Sequence, residues 1–175
     1  MKKRSLFFAV ILVISLFFNV LYIRDTYELK KSALYGLCSG VSNLTVAVSA
    51  VEFELERDEF QYDIMLDHDI ETAITSIKHG ESLLDISEPS SELGELKYYI
   101  ASESSAPKDK ERFLEDIRQI HSALKELEEA LHREKSDENS TEAPVPDFSL
   151  SKGEIRQAFL DFSKKVGPLV DQKRN

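Results

Sequence analysis

Tryptophan is missing from this chain of 175 residues, cysteine occurs once, at Cys38, and there are only six glycines and five prolines. A single cysteine cannot close an internal disulfide, so the fold must stand on packing. No proline precedes Pro89, and two of the five, Pro144 and Pro146, sit together. So few chain breakers favour helices over a turn-rich β fold. Also missing are a Gly-rich phosphate loop, an H-E-x-x-H, a Cys-x-x-Cys and a nucleophile elbow, so the sequence predicts no enzyme and no cofactor.

Charge is absent from Leu6–Ile23, which lies behind Lys2, Lys3 and Arg4. Eighteen helical residues reach about 27 Å, close to the ~30 Å hydrocarbon core of a bilayer. Residues 1–23 therefore read as a cytoplasmic tip and a transmembrane signal-anchor, with lipid as the partner of residues 6–23. A cleaved signal peptide is the alternative, but no small-x-small site follows the apolar run. The basic start puts the N-terminus in the cytoplasm and the remainder outside, as in a single-pass bacterial cell-membrane protein. Ser32–Val51 is a second uncharged stretch of twenty residues. Its four serines, two glycines, Asn43 and Thr45 make it a poor second span, and a hairpin would contradict the charge rule.

Residues 1–23 hold three of the 22 basic side chains and none of the 32 acidic ones, so the rest of the chain carries a net charge near −13. Such an acidic domain repels nucleic acid. Its apolar residues repeat with spacings of three and four. Leu34, Leu37, Val41, Leu44, Val48, Val51 and Leu55 form one seam, predicting a helix over about 25–57. Leu66, Ile70, Ala73, Ile77, Gly80 and Leu84 mark a second over about 60–86, thinned by Ala and Gly so that a neighbour can approach closely. Leu93, Leu96 and Ile100 mark a short helix over about 91–102. Phe113 to Leu131 mark a fourth over about 107–135, opened by Pro107 in its first turn.

Residues 136–150 read as a flexible acidic linker. Ser151 and Glu154 form a capping box for a C-terminal helix within 151–175, with Leu150 stapled to Ile155 and an end near Gly167-Pro168. The expected fold is all-α: a transmembrane helix, an antiparallel helical bundle over 24–135 and a last helix packed upon it. A parallel coiled-coil dimer through the first seam is the rival arrangement. At the level of fold alone, the bundle resembles extracytoplasmic four-helix sensor modules.

Asp63, Asp67 and Glu71 share a helix face and are the candidates for a cation or a basic partner, beside the plainer reading of a solvated acidic face. The histidines pair at a spacing of eleven, His68 with His79 and His121 with His132, about 16 Å apart and too far for one metal. Cys38, next to the first seam, is either a small buried residue or the site of a disulfide between two copies. Gly36-x-x-x-Gly40 marks a flexible joint or a tight helix crossing. Asn43-Leu44-Thr45 and Asn139-Ser140-Thr141 would be glycosylation sequons only in a eukaryotic secretory setting. The functional expectation is an accessory or scaffolding subunit acting by protein contact or self-association. A ligand-sensing bundle that signals through a partner is the alternative.

Overall fold

The computed structural model describes residues 2–57, 60–86, 91–105, 109–132 and 145–171, with the backbone alone at 2–10, 91–92, 104–105 and 171. The protein is all-helical, with five helices among these residues: α1 (Lys2–Glu56), α2 (Ile64–Leu84), α3 (Ser91–Ser105), α4 (Lys110–Leu131) and α5 (Lys152–Asp171). No proline or left-handed residue interrupts the first of them. The segment expected to cross the membrane and the first seam of the soluble part are thus one helix of 55 residues, about 82 Å long.

That helix has two environments. From Ile11 to Ile23 its large apolar side chains, Leu21 excepted, are exposed, at 47–73% of their free surface. Such a surface suits an apolar medium, and by length and composition α1 is long and apolar enough to cross a membrane. From Ala33 onward the pattern becomes one-sided: all seven seam residues from Leu34 to Leu55 are buried. They are covered by α2 and α4 of the same chain. The seam is therefore not open to a coiled-coil partner, and Ser32–Val51 supplies core rather than a surface facing lipid.

The main helix contacts run α1 to α2, α2 to α3, α3 to α5, α5 to α4 and α4 back to α1. Each helix thereby buries its stripe against two neighbours. Gly40 of α1 meets Ala73 and Ile77, whereas Gly80 of α2 meets Ala33 and Leu37. Those two helices hence run in opposite directions. The same holds for α1 and α4, since Ser42 pairs with Glu128 and Glu56 with Arg118.

Several expected boundaries move, each for a local reason. α2 begins at Ile64 rather than near 60, because the Asp63 carboxylate accepts hydrogen bonds from the backbone N–H groups of Met65 and Leu66 and so caps the helix there. It ends on Asp85, whose left-handed backbone (φ 54°) lets its N–H reach the last carbonyls. α4 starts at Lys110 with Asp109 as its cap and stops at Leu131, shorter than the expected 107–135. The expected start at Pro107, like residues 136–144 of the expected linker over 136–150, lies outside the described residues.

The end of that linker is tied down. Pro146 bridges His132, and the N–H of Asp147 donates to the carbonyl of Leu131. α5 runs through Pro168 to Asp171 instead of stopping at Gly167-Pro168. Burial of Val166 and Val170 on either side of the proline holds the last turn, at the cost of one missing backbone bond.

The capping box forms as expected: Ser151 N–H donates to Glu154 Oε2 at 2.7 Å and Glu154 N–H to Ser151 Oγ at 3.2 Å. The hydrogen bonds from Ser151, its side chain first, hold the Glu154 carboxyl below its usual value of 4.5. A carboxyl lowered in the folded state adds stability above its unfolded value, which is lost as pH falls through the folded value. Glu154→Gln should accordingly lower the thermal unfolding midpoint at pH 7, and the gap from wild type should narrow as pH falls below about 4.5. A gap that stays constant down to pH 3 would exclude this charge-dependent cap.

Candidate functional site

The acidic trio expected to act together is divided by the fold. Asp63 caps α2, while Asp67 and Glu71 turn toward α3, where Lys97 Nζ donates to Glu71 Oε2 at 2.8 Å and lies 3.1 Å from Asp67 Oδ1. Tyr62 Oη also donates to Asp67 at 2.7 Å. The Tyr62 hydrogen bond, then that from Lys97, holds the Asp67 carboxyl below the usual carboxylate range, and Glu71 and Asp67 in turn push the Lys97 ammonium upward. The basic partner of this face is thus a residue of the same chain. Among the described residues, no three His, Cys, Asp or Glu side chains are grouped to hold a metal ion.

The histidines separate. His121 Nδ1 lies 2.6 Å from Glu52 Oε2 on α1, and His132 Nδ1 lies 2.7 Å from its own helix carbonyl at Glu128. Arg118 joins the first pair, with Nε 3.6 Å from Glu52 and Nη2 2.6 Å from Glu56. Partly exposed ion pairs of this kind contribute about 0–1 kcal/mol each. Their consequence is register: they fix which turn of α4 faces which turn of α1.

Cys38 is 2% exposed, beneath the end of α4, and its thiol donates toward the Leu131 carbonyl at 3.8 Å. Burial, with Glu128 nearby, pushes the thiol up to about 12, so the reactive thiolate is suppressed. A bond between two copies through Cys38 would require α4 to leave this face. Gly40 lies at a tight crossing, where a Cβ would sit 2.8 Å from the Ala73 carbonyl oxygen, while nothing lies within 4 Å of one on Gly36. Half of the Gly-x-x-x-Gly reading therefore describes a contact.

The most specific long-range contact is one that sequence periodicity does not reveal. Lys30, seven residues beyond the apolar run, donates to the carbonyls of Phe148 and Leu150 at 3.0 and 2.8 Å. The Phe148 ring packs on Tyr35 at 5.3 Å, and Lys31 Nζ lies 5.9 Å from its centroid. The start of α5 is thereby strapped to α1 just outside the exposed apolar segment. Phe148, the one aromatic residue in the linker, was the available signal.

Among the described residues, hollows open on the surface at two places of note. One, of about 180 Å³, lies between α4 and α5 beside Ala130 and Ala158. The other, of about 520 Å³, lies between the later half of α1 and the first turns of α2. Compared with known proteins, the chain matches no family model, no curated sequence and no solved structure.

Proposed function

We propose that this is a single-pass membrane protein whose helices form an antiparallel bundle outside the cytoplasm, working there by protein contact as an accessory or scaffolding subunit. The observation that carries the reading is the continuity of α1. One unbroken helix has exposed apolar side chains up to Ile23 and core-facing ones from Ala33. Nine residues separate the two environments, and Ile23 and Ala33 lie about 15 Å apart along the helix. A bundle mounted so directly on its anchor is held at a set height and orientation, and a contact subunit needs both. The Lys30 strap adds to this by fixing α5 to the same helix.

Lys2, Lys3 and Arg4 support a cytoplasmic N-terminus. A sensing role for a small ligand draws less support, because the two hollows described above open to the surface and, among the described residues, the helix seams are filled by buried Leu and Ile. Crosslinking intact membranes and then purifying the full chain tests the proposal. A stoichiometric adduct with another protein is the expected result, and recovery of the chain without one would refute it. A reporter fused after Asn175 should be active only on the exported side; activity in the cytoplasm would reverse the topology.

A further inference from the structure

The larger hollow is a groove between two antiparallel helices. Its floor is small and apolar: Ala47 and Ala50 from α1, with Leu66 from α2. Val46 and Met65 stand on either side and are 69% and 71% exposed, large apolar side chains that their own chain does not cover. The α1 side runs over the twelve residues from Asn43 to Glu54, about 16 Å or three helical turns. Small floor residues allow a third helix axis to approach to about 8 Å. The occupant that fits is therefore a helix with apolar side chains at i, i+4 and i+7.

Charge decides which helix. Glu54, Asp63 and Asp69 rim the groove, and none of the residues lining it is basic. The contrast with the neighbouring face is direct: there Lys97 neutralises Asp67 and Glu71, whereas here the carboxylates have no cation among the lining residues. A second copy would bring the same acidic rim and a net charge near −13 from outside its anchor, which opposes self-association. The groove also begins about 30 Å along α1 from Ile23, so lipid is not its occupant.

We infer that the groove between α1 and α2 is a docking site for an amphipathic helix of a partner protein that flanks its apolar stripe with Lys or Arg. The inference rests on the proposed role in protein contact and names the surface and the partner chemistry.

The test uses the full chain in phosphatidylcholine nanodiscs, with empty nanodiscs as background. The probes are a labelled fourteen-residue Leu/Lys helix and its Leu/Glu counterpart, followed by fluorescence anisotropy. The Lys peptide should bind, and the Glu peptide should not. The double variant Glu54→Lys, Asp69→Lys spares the α2 cap at Asp63 and should weaken binding at least tenfold. Ala50→Trp, which fills the groove from an exposed position, should do the same. Reversing two exposed charges on α4, Glu115→Lys with Glu129→Lys, should change binding less than twofold.

Equal loss in the α4 control would reduce the effect to overall charge and overturn the site. Binding that ignores all groove variants would also overturn it. A concentration-dependent dimer abolished by Ala50→Trp would assign the groove to a second copy instead. A partner crosslinked in membranes as strongly to the groove variants as to wild type would leave the contact role standing and remove this site alone.

Discussion

Replacing Gly40 with alanine should destabilise the protein by about 2–3 kcal/mol, whereas the same change at Gly36, one turn earlier, should stabilise it by up to about 1 kcal/mol. Both residues lie in α1, and in an isolated helix alanine is favoured over glycine at either place. The surroundings reverse the sign at one of them. A Cβ on Gly40 would sit 2.7 Å from Ile77 Cγ1, 2.8 Å from the Ala73 carbonyl oxygen and 2.9 Å from the Ile77 nitrogen. Two of those three atoms are backbone, so α2 must move as a body rather than rotate a side chain. Gly80 presents the reciprocal contact, 2.8 Å from the Ala33 carbonyl and 3.1 Å from the Leu37 nitrogen. Gly80→Ala should match Gly40→Ala in sign. Urea unfolding of the three variants measures all of this, and a stabilising effect at Gly40 or Gly80 would show that the two helices do not cross so closely.

The same glycines mark what was legible in the sequence. The alternation of three and four that runs from Leu34 to Leu55 identifies the buried face of α1 residue by residue, because core burial follows helical period. The seams of α2, α4 and α5 follow for the same reason. Periodicity does not say which seam meets which, nor where a polar side chain finds its partner. Lys97 lies 26 residues from Glu71, and Lys30 lies 118 from Phe148. Pairings over such separations follow only once the helices are docked. The sequence reading puts Asp63 on an acidic face within a helix from about 60, whereas the backbone of residues 64–66 makes it the helix cap. Of the groove, Asp63 stood out in the sequence and the exposed apolar walls did not. Val46 falls outside the first seam, and an apolar residue off the seam carries no sequence signal of being uncovered.

The apolar start of α1 gains a mechanical meaning from the residues beyond it. An apolar run of eighteen residues marks a candidate span, and whether such a segment can steer the domain depends on the joint between them. Residues 24–32 continue α1 with no proline or glycine and no left-handed residue. A turn of that apolar segment about its own axis therefore turns the helices packed on α1 with it, and the groove on α1 and α2 moves as part of that body.

Phe113→Ala should cost about 4 kcal/mol, because it combines cavity formation with the loss of two ring contacts. The Phe113 side chain is 1% exposed at the start of α4. Its ring lies 5.7 Å from Tyr99 on α3 and 6.2 Å from Phe60 in the segment leading to α2. Tyr99 is held in turn by a 2.6 Å hydrogen bond from its hydroxyl to Asp116, so it cannot readily collapse into the space left by the ring. Phe113→Leu keeps most of the volume and should cost less than about 1.5 kcal/mol. The difference between the two variants isolates the cavity. Phe60 sits three residues before the Asp63 cap, so hydrogen exchange of the Met65 and Leu66 amides should rise in Phe113→Ala well before global unfolding. Equal losses in the two variants, or unchanged protection of those amides, would mean that the aromatic cluster does not brace the entry to α2.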